Sequence, residues 1–561
     1  MDRRTVLAVI LIAAVILLTP RFFPPGPAVQ RPAPDTLVGS PAAPAPPAPT
    51  IGARPDSITP APAPAGAPPP PTASAPPETV SVRDSLAQYH FSTRGGVLES
   101  VDLTHYQALP SRSGVVTLRG KGNPLLRFIG IVGGDSVRFD SATFNVVRDS
   151  TAASSAASGM PSITMAGAVG ADSLFLTYQV IPDSFVVRLS ARVGGRLAAG
   201  ARSYVLLLLP PTLESFEADT TDDQRNLAFV VQPTGRDSRG IGFGDLDPGE
   251  RSVVPGPHTW VALKNKYFII GALTRDSVSP LLEFSAVGLP RTSRLATMAQ
   301  GVAVIEPDGG HFTLDVYTGP QQWRRLRALG RDFESSNPYG GFMQPIVQPF
   351  AVIVMRILLW LRETLAISYG WVLVIFGVAV RLVLWPLNQS AMRTSLKMQR
   401  IQPELTELQK RYKSDPQKLQ TEMMRVYKEH GMSPFSMFSG CLPLLIPMPV
   451  LFALFFVFQS TIEFRGVSFL WLQDISLKDP FYILPALMGA SMFVLTWIGS
   501  RNSPPNPQTK VMMYVFPVMM TVLLANLAAG LNLYYAVQNV AALPQQWLIA
   551  RERAKTAPVK K

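Results

Sequence analysis

One basic residue, Arg381, stands inside an apolar run from Tyr369 to Leu387 that is long enough to cross a bilayer. Insertion scales put the cost of an arginine at the centre of a membrane at roughly 2.5–3.5 kcal/mol, so such a residue faces a bundle interior or a water-filled cavity. This run and the four apolar runs that follow it contain no Asp or Glu. A positive charge in a wet pocket without an acidic neighbour predicts a binding site for a transient anionic ligand.

Other polar side chains of the apolar runs are weaker candidates for a site. Individually, each is typical of a hydrogen bond between helices or of an anchor at the membrane surface. They are Gln459, Ser491, Thr496, Thr521, Asn526, Asn532, Tyr535, Gln538 and Asn539.

No enzyme signature accompanies these residues. The five histidines are far apart, and the sequence has neither a two-histidine zinc motif, a Gly-x-Ser-x-Gly elbow nor a Gly-Lys-Ser/Thr phosphate loop. The single cysteine, Cys441, excludes an intrachain disulfide and a multi-cysteine metal site. We therefore expect a protein that is not an enzyme and has no catalytic residue, cofactor or metal.

The last third of the 561-residue chain predicts five membrane-spanning helices. A shorter run within residues 1–19, preceded by two arginines, predicts an uncleaved signal anchor as a sixth span. The basic tail, 550–561, and the basic loop Asn388–Ser439 place both termini in the cytoplasm by the positive-inside rule. The five later spans are Tyr369–Leu387, Leu442–Ser460, Phe481–Gly499, Val511–Ala528 and Leu531–Ile549.

The net charge of +13 and the pI near 9.8 belong to this topology. Nucleic-acid-binding surfaces combine a basic patch with interleaved aromatic residues, whereas these basic residues are dispersed over segments that flank the spans. We expect no specific nucleic-acid recognition.

Residues 20–79 predict a tether. The stretch from Pro20 to Pro77 holds 21 of the 53 prolines, mixed with alanine. Proline-rich segments are extended and semi-rigid, and they bury no core.

Residues 80–335 alternate between apolar and polar side chains, which is typical of half-buried strands. The alternation in Leu174–Val180 resumes in Phe185–Val193 after the turn-like Pro182–Ser184, which predicts a hairpin. The segment therefore predicts a large antiparallel β-sandwich on the exported side. Further strands are predicted at Gly96–Leu103, Tyr204–Leu209, Trp260–Leu273 and Phe312–Tyr317.

Two amphipathic segments complete the plan. Residues 343–366 are apolar but carry three charged side chains, which favours an interfacial helix on the exported side. Residues 391–430 predict a cytoplasmic helical hairpin, in which Asp415 caps a helix that begins at Pro416 and stops at Gly431. The hairpin is either a solvated connector or, because it bears methionines, a surface that grips apolar clients.

The predicted fold is that of a multi-domain membrane protein. An all-α polytopic bundle of six transmembrane helices, with its five-helix core in 369–549, is joined to an exported antiparallel β-sandwich domain.

Several motifs resemble the YidC membrane-protein insertase family. The exported segment shares two of them, which resemble the periplasmic sandwich of Gram-negative members: Ser92-Thr93-Arg94-Gly95-Gly96, and Gly319-Pro320 with Leu326-Arg327-Ala328-Leu329-Gly330. The resemblance covers nearly the whole chain except the tether. In the helical part it runs through Gly370–Arg381, Trp385-Pro386-Leu387, Gln402-Pro403-Glu404, Met423–Lys428, Gly440–Ile446, Asp479–Pro485 and Leu533-Tyr534-Tyr535 to Asn539.

The resemblance implies roles for particular residues. Arg381 matches the family's groove arginine, Tyr535 matches a groove-facing aromatic residue on the last span, and 391–430 matches the cytoplasmic hairpin. Gly377 and Pro447 depart from the family pattern, which often has threonine and glutamine there, so we expect a less polar groove.

The function implied by the resemblance is insertion and folding of inner-membrane proteins through a hydrophilic groove open to the cytoplasm. The expected partners are nascent membrane proteins, the lipid bilayer, the Sec translocon and the ribosome. One alternative is an anion transporter that uses Arg381, although the sequence shows no internal repeat of the kind transporters often have. Another is an exported binding protein, for which one anchoring span would suffice.

Overall fold

The computed structural model describes most of the chain after the tether. The predicted anchor 1–19, nearly all of the tether 20–79, residues Gly431, Cys441 and Pro447, and the last five residues of the tail lie outside the described residues. The described ranges are 77–109, 114–147, 160–199, 203–275, 280–291, 293–337, 344–386, 389, 401, 404–413, 415–430, 448–500, 511–556.

Strands fill the first half of the described chain and form three sheets, which we call the β-domain. The four-stranded sheet has the order β1-β2-β3-β4, the nine-stranded sheet β13-β12-β15-β16-β19-β10-β9-β8-β7, and the six-stranded sheet β14-β17-β18-β11-β5-β6. The strands are β1 (Thr79–Arg83), β2 (Ala87–Ser92), β3 (Val97–Gln107), β4 (Val115–Arg119), β5 (Arg127–Val132), β6 (Asp135–Val137), β7 (Asn145–Val147), β8 (Ser162–Val169), β9 (Asp172–Ile181), β10 (Val186–Gly194), β11 (Ser203–Leu208), β12 (Ala228–Pro233), β13 (Arg239–Gly242), β14 (Arg251–Pro255), β15 (His258–Lys264), β16 (Phe268–Thr274), β17 (Leu281–Gly288), β18 (Ala299–Ile305) and β19 (His311–Pro320).

The sheets pack face to face over one apolar core. Phe229 of the nine-stranded sheet meets Phe284 of the six-stranded sheet with ring centroids 5.4 Å apart. Phe91 of the four-stranded sheet lies 4.9 Å from Tyr178 of the nine-stranded sheet, and the Tyr178 hydroxyl donates to the carbonyl of Gly96 at 2.9 Å. Rings from opposite sheets therefore fill the interior.

The predicted hairpin is confirmed. Strands β9 and β10 pair antiparallel with Leu176 opposite Ala191, and burial alternates along β9 as its sequence predicts. The prediction of one strand over Trp260–Leu273 is wrong, because the chain reverses at Asn265 to form β15 and β16. The Asn265 side-chain oxygen accepts the backbone N–H groups of Tyr267 and Phe268 at 3.2 and 2.8 Å, which fixes the turn.

Helices occupy the rest of the described chain. Three short ones lie in or beside the β-domain: α1 (Arg196–Ala199), α2 (Thr220–Arg225) and α3 (Trp323–Ala328). The others are α4 (Gln344–Leu365), α5 (Tyr369–Val383), α6 (Pro416–Glu429), α7 (Met448–Ser460), α8 (Ile483–Ser500), α9 (Phe516–Leu524, preceded by a π-turn over Val511–Val515) and α10 (Ala529–Thr556).

Carboxylates begin two of these helices. The Asp415 side chain accepts the Lys418 N–H at 3.0 Å, so the predicted cap and the start of α6 at Pro416 are confirmed. Before α8, the buried Asp479 accepts three donors: the Trp471 indole at 3.2 Å and the backbone N–H groups of Phe481 and Leu484 at 3.0 and 2.7 Å. The Asp479–Pro485 motif therefore has a structural role in which one carboxylate orders the loop and the helix start.

Within the described ranges, one helix, Ile483–Ser500, is by itself long and apolar enough to cross a membrane. The pair Val347–Leu365 and Tyr369–Val383 passes the same test together but is bent by 119° between its halves. Val450–Ser460 and Val511–Leu524 are apolar but shorter. The count of six spans stays a prediction.

A buried ion pair joins the β-domain to the loop between α7 and α8. Arg465 Nε lies 2.9 Å from each carboxylate oxygen of Glu217, and its Nη2 donates to the carbonyl of Gln107 at 2.9 Å. Only 6% of the Arg465 side chain and 4% of the Glu217 side chain are exposed. Nearby, Trp323 N–H donates to Glu463 at 3.3 Å. These contacts connect the two parts of the molecule.

Removing one partner of this pair is expected to destabilise the junction by about 3–5 kcal/mol, because the other charge stays buried without compensation. We predict that Arg465→Met and Glu217→Met each lower the thermal midpoint of the detergent-solubilised protein. The double variant should lose less than the sum of the two, and equal additive losses would contradict a direct interaction.

The loss in Arg465→Met should also depend on pH. Burial raises the pKa of Glu217 to about 7, while Arg465 opposes that rise. Without Arg465, the folded-state pKa of this carboxyl stays above its unfolded value, so proton binding favours the folded state. We expect the loss of stability to be larger near pH 8 than near pH 6, and the same melts at both pH values would measure this difference.

Candidate functional site

Close packing of α5 against α10 positions Arg381. A Cβ at Gly377 would lie 3.1 Å from Val537 Cγ1, which is tighter than ordinary contact, so glycine lets the two helices approach here. One residue earlier, the Phe376 and Tyr534 rings pack with centroids 5.9 Å apart. The departure at Gly377 therefore has a packing consequence: a threonine there would press against α10.

The Arg381 guanidinium is anchored to α10 by a hydrogen bond. Its Nη2 donates to Gln545 Oε1 at 2.9 Å, and Gln545 Nε2 donates to the carbonyl of Trp385 at 3.0 Å. Arg381 Nε is buried and has no hydrogen-bond partner. The bond to Gln545 fixes one side of the guanidinium, while its charge is not neutralised by a carboxylate in any predicted later span.

Sequence reasoning missed Gln545, which is 2% exposed. The available signal was the pair Gln545-Gln546 directly after Pro544, since two adjacent amides inside an apolar span need partners. Gln546 Oε1 is also buried without a partner.

Tyr535 lies in a different sector of α10. It packs beside a cluster of Met488, Leu524 and Ala536, and its hydroxyl is buried without a hydrogen-bond partner. Ten residues separate it from Gln545, or about 15 Å along a helix. The two predicted site residues therefore do not meet at one point.

Several other polar candidates make the predicted hydrogen bonds. Asn539 donates to Ser491 Oγ at 3.2 Å, and Asn532 donates to the carbonyl of Leu524 at 3.0 Å, which tie α10 to α8 and α9. Thr496 and Thr521 instead donate to backbone carbonyls four residues earlier in their own helices. The polar side chains of α10 thus face two neighbours, α5 on one side and α8 with α9 on the other.

The hairpin packs its apolar side chains against each other. Ile401, Leu405, Val426 and Tyr427 are buried in one cluster, formed between the helical residues 404–411 with Ile401 on one side and α6 on the other. Met423 and Met424 are partly buried beside them. Much of the methionine-bearing face is therefore used inside the hairpin.

In the described ranges, no three His, Cys, Asp or Glu side chains gather as metal ligands. The chemistry available near α10 is that of one cation, amides and hydroxyls. These groups can bind and orient polar partners, and they suit hydrogen bonding more than covalent work.

Comparisons with known proteins agree over almost the whole chain. The YidC periplasmic domain family matches residues 79–353, and the 60Kd inner membrane protein family matches 360–556. A membrane protein insertase YidC from Anaeromyxobacter sp. strain Fw109-5 is 30% identical over 411 residues, 71% of each chain. The chain belongs to the YidC insertase family. The resemblance drawn from the motifs is therefore confirmed.

Two further relatives extend the match. The membrane protein insertase YidC of Chlorobaculum tepidum is 29% identical over 576 residues, covering 97% of this chain and 94% of that protein. A crystal structure of an active YidC insertase with its first transmembrane domain resolved is 19% identical, covers 84% of this chain and 92% of that chain, and has a TM-score of 0.33. As a YidC-family protein, this chain is an inner-membrane protein whose β-domain is periplasmic and rich in antiparallel sheets.

Replacing Gln545 tests the anchoring of Arg381. In Gln545→Leu, the Arg381 guanidinium loses the acceptor that the structure shows, and we expect a loss of about 1–3 kcal/mol in stability. Gln545→Glu should retain or improve stability, because it keeps an acceptor at the same position and adds the opposite charge. Thermal melts of the three proteins would measure the order, and a Leu variant as stable as the parent would exclude a stabilising role for the bond.

Proposed function

We propose that this chain inserts membrane proteins through a groove beside α10 that is open to the cytoplasm, with Arg381 as its charged group and Tyr535 as an aromatic contact. The observation that carries the proposal is Arg381 itself. It lies in an otherwise apolar helix, held by Gln545 on one side and with a buried Nε that lacks a partner. Membership of the YidC family supplies the class of activity.

The physical mechanism is a shortened barrier. Water and a positive charge placed partway into the bilayer reduce the thickness of hydrocarbon that a polar client tail must cross. The client's apolar segment then leaves sideways into lipid, and its burial drives the step. The chain needs no covalent chemistry for this activity.

We propose the following membrane topology: a signal anchor in 1–19, a tether in 20–79, the periplasmic sandwich in 80–335, five core helices in 369–549 and a cytoplasmic tail in 550–561. Six spans place both termini in the cytoplasm. Residues 343–366 lie along the membrane surface. The 119° bend between α4 and α5 supports this placement, as do the exposed apolar side chains of α4, which are Phe350, Ile353, Ile357 and Trp360.

The proposed partners are nascent membrane proteins and the bilayer, with the ribosome and the Sec translocon as further partners. The hairpin 391–430 is a compact cytoplasmic unit at the entrance, because its two helices bury their apolar side chains together. The family assignment supports insertion, and it does not support the anion transporter that Arg381 alone left open.

The charge of Arg381 is expected to attract acidic client tails. Arg381→Lys should retain insertion, whereas Arg381→Ala should fail most for clients whose exported tails carry carboxylates. Coulomb attraction scales with client charge, and screening at a hydrated site keeps each increment modest. Insertion of one client with zero, one or two tail carboxylates would be measured in both variants.

The matched control is Gln545→Leu, which removes the anchor of Arg381 but keeps the charge. It should retain the dependence on tail charge. Equal losses for all three clients in Arg381→Ala, with Lys no better than Ala, would mean that the arginine acts as a structural hydrogen-bond donor.

The hairpin provides a second test. Replacing residues 391–430 by a Gly/Ser linker should cripple insertion while the spans still fold, as judged by the thermal midpoint of the β-domain and the helical core. A less drastic variant, Leu405→Ser, opens the hairpin cluster and should give a partial loss. Unchanged insertion by the linker variant would show that the hairpin is only a solvated connector.

A further inference from the structure

A second cavity, distinct from the surroundings of Arg381, lies where the β-domain meets the helices. Its volume is about 460 Å³, and its walls differ in character. One wall, from α2, β16's preceding turn and the loop after α7, carries Arg225, Lys266 and Lys478 with Asp219 and Asp222. The other wall is apolar and includes Phe455 of α7 and residues from the turn between α9 and α10.

The charged wall has cations to spare. Three basic side chains and two carboxylates line the cavity, a net charge of +1. Lys266 is paired with Asp222 at 2.7 Å, and Asp219 accepts the backbone N–H of Asp222 at 3.0 Å as the cap of α2. Arg225 and Lys478 are exposed, and within the described ranges neither makes a hydrogen bond or an ion pair.

The apolar wall lies at the periplasmic ends of the helices. Phe455 is one turn from the end of α7 at Ser460, and α10 starts beneath the loop that carries Lys478: the Ala529 and Gly530 N–H groups donate to the carbonyls of Leu477 and Ile475 at 2.7 and 2.9 Å. The cavity is thus at the depth where the apolar helices end and the periplasmic domain begins. That is the level of lipid headgroups.

We infer that this cavity binds an anionic phospholipid of the periplasmic leaflet, with its phosphate held by Arg225 and Lys478 and an acyl chain along Phe455. Arginine and lysine are the side chains that best match phosphate oxygens. An amphiphile needs one charged wall and one apolar wall, and this cavity supplies both. A polar peptide passing through would leave the apolar wall uncovered by suitable groups, so a client tail fits it less well.

The lipid retained by the full-length protein tests the inference. The protein would be reconstituted in phosphatidylcholine nanodiscs that contain phosphatidylglycerol, released gently, and weighed by native mass spectrometry. The parent should retain phosphatidylglycerol in preference to phosphatidylcholine. Arg225→Gln with Lys478→Gln should reduce that preference roughly tenfold, since each cation near a membrane surface attracts anionic lipid independently.

The matched control is Arg94→Gln with Lys121→Gln, which removes the same two residue types from exposed positions on another part of the β-domain. The control should retain phosphatidylglycerol like the parent. Equal retention by both double variants would overturn the inference. So would full displacement of the lipid by soluble glycerol phosphate, which would identify a phosphate site independent of the membrane, or crosslinking of the cavity to client tails instead of lipid. Lipid retention is measured without insertion activity, so its outcome is independent of the proposed groove.

Discussion

Hydrogen bonding without water is the constraint on which the helical core depends. Polar groups inside hydrocarbon must find partners in the protein or in a wet cavity. Helix α10 meets this constraint on two sides, through Gln545 toward Arg381 of α5 and through Asn539 and Asn532 toward α8 and α9. The atoms left over, among them Arg381 Nε, Tyr535 Oη and Gln546 Oε1, are buried without partners. Unmet polar capacity in an apolar bundle is what a hydrated groove would satisfy.

The junction between the two parts of the molecule follows a different logic. Arg465 and Glu217 are 248 residues apart in the chain, and their ion pair is almost fully shielded from solvent. Such pairs contribute less to net stability than to specificity of docking, because desolvation offsets much of the attraction. The pair therefore favours one arrangement of the β-domain over the loop between α7 and α8.

What the sequence predicts well are features with a local chemical signal. Arg381 is conspicuous because a charge inside an apolar run has few explanations, and the start of α6 is marked by the adjacent Asp415 and Pro416. The split of Trp260–Leu273 into β15 and β16 escaped prediction because both strands are buried and the turn at Asn265 has no glycine or proline. The partners Gln545 and Glu217 escaped because only the folded chain brings them to Arg381 and Arg465. The groove roles of Arg381 and Tyr535 remain predictions.

The close approach at Gly377 has a consequence for how the bundle can open. Helices α5 and α10 touch there at less than ordinary contact distance, and a few residues further on the bond between Arg381 and Gln545 joins them again. Parting this seam would break a hydrogen bond in a medium that offers no replacement and would separate two well-packed surfaces. A gate needs an edge with weaker contacts. The α5–α10 edge is thus the hinge side of the bundle, and a departing client has to move other helices to reach the lipid.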